Sequence, residues 1–117
     1  MGVTKTAAYT EEQLRLANLY KALGHPARIA ILQHLLRLDC CICQDLTEVI
    51  DLSQPTLSRH LAVLRDAGLI AGSAEGNTMS YCIAPARWRE VQSLFDAFFG
   101  SFRGDCCASA GPGLLAD

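Results

Sequence analysis

From Ser53 to Gly68 the chain spells out one complete helix, and the residues after Gly68 have lost the helical period. Ser53 is a capping residue, Pro55 suits a first turn and Gly68 suits a stop. Between them Leu57, Leu61 and Leu64 fall at i, i+4 and i+7, one apolar stripe at helical period. Gln54, Thr56, Ser58, Arg59 and Arg65 lie mostly off that stripe. Then the period changes. Leu69 to Ala74 and Thr78 to Ala84 are short, alternating and β-permissive, with Glu75-Gly76-Asn77 as turn chemistry between them. A helix with one polar side that runs straight into a hairpin leaves few architectures open.

The upstream chain narrows them further. Thr10 with Gln13 fits a capping box, and Glu11 and Glu12 favour a first turn. Leu14, Ala17, Leu19, Tyr20 and Leu23 recur at helical spacing until Gly24. His25-Pro26 opens a second helix, with Ile29, Leu32, Leu35 and Leu36 as its stripe. Asp39 is an N-cap for a short third helix from about Cys40 to Ile50, with Leu46, Val49 and Ile50 inward. Pro85 or Ala86 starts a fifth, made amphipathic by Trp88, Val91, Leu94, Phe95, Phe98 and Phe99. The order predicts a mainly α fold with a small β-hairpin: a winged helix-turn-helix of five helices and a two-stranded wing. Residues 1–9 read as a flexible arm, 10–100 as the domain and 101–117 as a flexible tail rich in Gly, Ala and Ser.

Half of the 117 residues are hydrophobic, enough for one core, and no repeat or second domain is visible. No apolar run is long enough to span a bilayer, and Met1 to Gln13 has no apolar signal region. Met1-Gly2 with Thr6 fits the loose myristoylation pattern, but no basic cluster and no palmitoylatable cysteine lies nearby, so a cytoplasmic chain without a membrane partner is expected. The net charge of −2 argues against a polycation. A nucleic-acid surface must therefore be local.

The fourth helix can supply one. Its first turn presents backbone N–H groups and a positive dipole end to a phosphate. Ser53, Gln54, Thr56, Ser58, Arg59 and Arg65 can donate to phosphates or base edges, and Arg and Gln can each do so in bidentate fashion. On an isolated helix such a side would be plain solvated surface. Here the small polar residues cluster at the first turn and a hairpin comes directly after the helix, which points to DNA. His60 borders the leucine stripe; it packs inward or reaches a phosphate through its outer nitrogen. The hairpin tip carries no basic residue, so little affinity is expected from it.

The six cysteines are bunched as Cys40, Cys41 and Cys43, then Cys82, then Cys106 and Cys107. Neighbouring cysteines are poor staples for distant parts of a fold. Bunched thiols in a reducing compartment serve soft metals or redox chemistry. Cys82, alone in a strand, reads as a small buried hydrophobe.

Ala22-Leu-Gly-His-Pro-Ala-Arg-Ile-Ala-Ile-Leu32, Cys41-Ile-Cys43, Leu52-Ser-Gln-Pro-Thr-Leu-Ser-Arg-His-Leu61 and Leu64-Arg-Asp-Ala-Gly-Leu69 together resemble the ArsR/SmtB family of metal-responsive repressors. The resemblance runs from about Leu14 to Phe99. It implies a non-enzymatic homodimer, paired through the first and fifth helices, that blocks a promoter until an inducer binds. It also implies a palindromic operator with half-sites about one helical turn apart. The arsenic-sensing branch carries Cys-x-Cys-x-x-Cys at the start of the third helix for trivalent arsenic or antimony. Cys41 and Cys43 match its first two positions, but the third falls on Leu46. A third thiolate would come from Cys40, Cys106 or Cys107. Side chains at i and i+2 on a helix do not face each other, so clamping an ion there would distort its first turn. Zinc sensors of the family place His and acidic ligands on the last helix, where this chain has no histidine. His25 is expected to cap or orient the second helix and His34 to lie on its solvent or interface side. A thiol-redox or persulfide sensor, switching through Cys41 and Cys43 or Cys106 and Cys107, is the alternative. A thiol enzyme is disfavoured, since no Cys-x-x-Cys is expected at a strand–helix junction and no phosphate-cradling loop is visible. No organic cofactor is implied.

Overall fold

Thr10 opens the first helix, α1 (Glu11–Leu23), through the reciprocal bonds of a capping box: its Oγ1 accepts from Gln13 N at 3.0 Å while its own N–H donates to Gln13 Oε1 at 2.9 Å. The computed structural model describes residues 8–38 and 41–104, with backbone alone for 41–45 and 75. His25 caps α2 (Pro26–Arg37), its Nδ1 accepting from Ala27 N at 3.0 Å. Next come β1 (Cys41–Ile42), α3 (Cys43–Val49), α4 (Gln54–Asp66), β2 (Ile70–Glu75), β3 (Thr78–Ile83) and α5 (Pro85–Gly100). Five helices and an antiparallel hairpin make a winged helix-turn-helix.

The structure differs from the sequence reading around the third helix, and in α2, where Ile29 and Leu36 of the expected stripe are 39% and 53% exposed while Leu32 and Leu35 are buried. The third helix begins at Cys43, not near Cys40, and Cys41-Ile42 is instead a strand. That strand pairs antiparallel with β3, Cys41 opposite Tyr81 and Ile42 opposite Ser80, so the sheet has three strands in the order β1-β3-β2. The outer edge of β3 otherwise leaves N–H and C=O groups unpaired, and two residues of incoming chain satisfy part of it. Two residues are too few to show an alternation in sequence. Val49, expected inward, is also 53% exposed; it is the last residue of a short helix whose buried anchor is Leu46. Asp39, the expected cap of that helix, lies outside the described residues.

The core is built from every layer. Leu19 of α1, Ile31, Leu32 and Leu35 of α2, Leu46 of α3, Leu57, Leu61 and Leu64 of α4, Leu69, Ile70 and Tyr81 of the wing and Val91 of α5 form one buried cluster. The leucine stripe of α4 is thus held from several sides, which leaves the opposite side of the helix free. The end of α4 is closed just as firmly. Gly68 N–H donates to Arg65 O and Leu69 N–H to Leu64 O, the two bonds of a Schellman motif. Gly68 takes φ +84°, which favours glycine, and a Cβ there would stand 2.9 Å from the Arg87 side chain, which would have to shift. The hairpin turns at Gly76-Asn77, with Gly76 at φ +64°.

On the far side α5 lies against α1. Tyr20 stacks on Phe95 at 4.3 Å with the rings 9° apart, and Phe98 and Phe99 meet its ring at steeper angles. Phe98, Phe99 and Phe102 are 52%, 66% and 71% exposed. Leu23, Trp88, Val91 and Phe95 line an apolar groove of about 280 Å³ on the same helix. Large aromatics left in water over one contiguous face mark an interaction surface.

Candidate nucleic-acid interface

Ser53 sets the direction in which α4 leaves the core. It is extended (φ −68°, ψ 158°), and its Oγ accepts from Thr56 N at 3.4 Å and donates to Thr56 Oγ1 at 3.0 Å. Pro55 occupies the first turn, where a missing N–H costs nothing. Gln54 precedes it, and its Nε2 lies 3.5 Å from Ser58 Oγ. Gln54, Thr56, Ser58, Arg59 and Arg65 lie away from the buried leucines; Thr56 is half-buried and the other four are exposed. Arg65 leans toward Asp66, Nε to Oδ1 at 3.7 Å, with both side chains well exposed, so that pair is weak and easily exchanged for a phosphate. The structure therefore brings the sequence-expected residues onto the solvent-facing part of one helix. Leu57, Leu61 and Leu64, at 0%, 1% and 0% exposure, fix the side that cannot move.

His60 is the exception. It is half-buried and faces the start of α2. Its ring lies 4.4 Å from that of His25, and Arg28 Nη1 reaches its Nδ1 at 3.2 Å. A guanidinium only donates, so Nδ1 is the acceptor and the proton of the neutral ring sits on Nε2. Arg28 also donates from Nε to Ala22 O at 2.7 Å and from Nη2 to Lys21 O at 3.3 Å. One arginine thereby fastens the carbonyl end of α1 to the middle of the polar-faced helix. Sequence spacing had no means of finding it, because Arg28 and His60 are 32 residues apart. His34 pairs with Arg37 one turn on, Nη2 to Nδ1 at 3.3 Å, at the surface.

Burial, then the nearby charges of His25, Arg28 and Arg59, hold the His60 pKa below its ordinary 6.5. The folded ring thus takes its proton at lower pH than the unfolded chain does. Below about pH 6.5 the unfolded state binds more protons, so the contribution to stability is full above that pH and declines as pH falls through it. The urea midpoint is expected to drop between pH 7 and pH 5, and to drop less in His60→Gln. Equal slopes for the two proteins would show that His60 does not carry the dependence.

The cysteines are divided between a junction, a strand and segments outside the described residues. Cys41 is in β1 and Cys43 opens α3, so the pair straddles a strand–helix junction instead of sharing a helical turn. Leu46, at the third position of the cysteine pattern, is fully buried in the core and cannot ligate. Cys40, Cys106 and Cys107 lie outside the described residues. Cys82 departs from expectation: it is only half-buried, and it is disulfide-bonded. The expectation that it is a simple packing residue therefore fails. Its strand was correctly read, but no periodicity reveals that a thiol has a partner.

Residues 23–72 match the helix-turn-helix domain family. A regulator of Methanocaldococcus jannaschii, described as an uncharacterized HTH-type transcriptional regulator, is 34% identical over 87 residues, covering 74% of this chain and 97% of that one. A regulator of Mycobacterium tuberculosis with the same description is 43% identical over 68 residues, 58% of this chain and 60% of that one, so the match spans less than two thirds of its length. Its crystal structure superposes with a TM-score of 0.64 at 31% identity, covering 80% of this chain and 93% of the other. The arsenical resistance operon repressor of Escherichia coli is 40% identical over 68 residues, 57% of each chain.

Proposed function

The chain belongs to the ArsR family of winged helix-turn-helix transcriptional regulators, and from that membership we propose that it is a dimeric repressor that binds operator DNA through α4 and is released by trivalent arsenic or antimony. The observation that carries the DNA half is the division of α4 into a buried leucine side and an exposed side of Gln54, Ser58, Arg59 and Arg65. Ser53 and Thr56 complete the first turn, where N–H groups meet the phosphate backbone. His60 acts from behind, as a positioning residue held by Arg28. Two such helices, related by a two-fold axis, read a palindrome with half-sites about one turn apart. The exposed aromatic face of α5 with α1 supplies that axis. Phe98 and Phe99 are of the type that anchors interfaces, and covering them removes a large apolar exposure.

Cys41 and Cys43 supply two thiolates, soft donors suited to a soft trivalent ion. The third donor is Cys40, Cys106 or Cys107. Cys41 belongs to a strand paired with β3, and Cys43 to a helix that packs on β3 and α4, with Leu46 in the shared core. An ion drawn between them pulls β1 and α3 toward each other, and α3 carries that movement to α4. This replaces a distorted helical turn as the transmission, since the two residues do not share one. Similarity to the E. coli arsenical resistance repressor supports the choice of inducer.

The test is a titration of the reduced protein on its operator with arsenite, and separately with a persulfide donor. Arsenite is expected to weaken binding by about 5- to 150-fold, the range of ordinary allosteric coupling. Cys41→Ser and Cys43→Ser should lose that response while retaining DNA affinity. Release by the persulfide donor alone would transfer the function to thiol-redox sensing.

A further inference from the structure

His25 and His60 are tied to the fold through the same ring atom. Nδ1 of His25 accepts the capping bond from Ala27 N at 3.0 Å, and Nδ1 of His60 faces Arg28 Nη1 at 3.2 Å. Each ring is therefore neutral, with its proton on Nε2. An imidazole in that state gains a proton only at Nδ1, and the nitrogen that accepted becomes a donor. At His60 the result is two N–H groups aimed at each other. Arg28 has little freedom to yield, because its Nε and Nη2 stay bonded to Ala22 O and Lys21 O at 2.7 and 3.3 Å. The ring has to give way, and His60 belongs to α4.

Nothing nearby compensates the cation. Half-burial already disfavours the charged ring. His25 and Arg28 face it from the α2 side and Arg59 from its own helix, all of them basic, and among the described residues no carboxylate opposes them. The end of α1 reaches the cluster only through the two carbonyls that hold Arg28. The rings of His25 and His60 lie 4.4 Å apart, so a proton on one discourages a proton on the other.

We propose that proton uptake at His60 unlatches α4 from the start of α2 and weakens the protein's hold on DNA, an acid response that needs no inducer. Release rests on the proposed role of α4 in DNA binding; the latch itself does not. Arg59, the exposed neighbour of His60, shifts with the ring. The sign is opposite to that of an ordinary electrostatic contact. A proton that only added charge beside phosphates would tighten binding at low pH. Here the bound form needs the neutral ring. The His60 pKa lies below its ordinary 6.5, so binding is full at pH 7 and declines as pH falls through the lowered value.

Fluorescence anisotropy of the reduced full-length protein on an operator duplex, without arsenite, follows the affinity from pH 7 to pH 5 at constant ionic strength. Kd is expected to rise about tenfold, the effect of one proton whose pKa differs by about one unit between free and bound protein. His60→Gln cannot take up the proton and should lose this rise, whatever its affinity at pH 7. His25→Asn keeps the cap, since an asparagine oxygen also accepts there, but removes one positive neighbour, so the rise should begin at higher pH. Circular dichroism at each pH keeps release apart from unfolding. The helical signal should hold at pH 5; a signal that falls in step with binding makes the loss acid unfolding and overturns the latch. A Kd that stays level or falls on acidification overturns it too, as does an undiminished rise in His60→Gln. In protein labelled with 15N-histidine and free of DNA, NMR should show Nδ1 of His60 gaining its proton over the same pH range. A protein that binds no duplex at pH 7 removes the role of α4 and the release with it, and the histidine spectra then report the latch alone.

Discussion

Arg59→Ala is expected to weaken operator binding by about 5- to 150-fold, the equivalent of the ~1–3 kcal/mol that a good bidentate base contact carries. Arg59 is exposed near the middle of α4, between Ser58 and the His60 that Arg28 holds. The chain as a whole is not rich in bases, with ten Lys and Arg against twelve Asp and Glu. A molecule of net charge −2 cannot rely on a diffuse field to stay on DNA, so each well-placed cation on α4 counts for more. The uncharged hairpin tip at Gly76-Asn77 sharpens that dependence. Fluorescence anisotropy on operator and scrambled duplexes at fixed salt measures the loss. Because Arg59 lies outside the buried core, the unfolding free energy should move by less than about 0.5 kcal/mol. Arg59→Lys separates charge from geometry: a residue that reads a base stays impaired, since an ammonium cannot replace the fork. Equal losses on both duplexes with full rescue by lysine would make Arg59 a phosphate contact only.

Sequence alone was a good guide wherever one helix or hairpin explains itself. The capping box of α1, the leucine stripe of α4, the glycine that closes it and the turn at Gly76 are local signals, and each appears at its expected place. The polar side of α4 was legible for the same reason: it is the complement of the stripe. What could not be read was anything that depends on a distant partner. β1 exists because β3 has an open edge, and its two residues carry no period of their own. The inward turn of His60 was undecidable from its position beside the stripe; Arg28 and His25, contributed by α2 and its cap, settle it. The bond at Cys82 is the extreme case, a covalent link whose only trace in sequence is a cysteine. The later start of the third helix also changes the proposed switch, because two thiols at a strand–helix junction would transmit the pull of an ion differently from two on a helical turn.

Leu61→Ala should be among the most damaging truncations on α4, costing about 2–5 kcal/mol of the ~5–15 kcal/mol that holds a typical domain. Leu61 is 1% exposed and sits in the cluster that joins α1, α2, α3 and the wing. Removing its branched end leaves a void lined from several elements, and surrounding side chains that are themselves fully buried have little freedom to collapse into it. Val63, two residues on, is the internal control. It lies on the same helix but is 37% exposed, so Val63→Ala removes apolar area that water already reaches and should cost less than about 1 kcal/mol. Urea unfolding of both variants at one protein concentration gives the comparison, the concentration being fixed because the proposed dimerisation would add to apparent stability. Near-equal losses would mean that the leucine side of α4 is not the fixed one. Retention of operator binding by Leu61→Ala at low temperature, with its midpoint sharply lowered, would locate the damage in the support of α4 and not in the surface it offers to DNA.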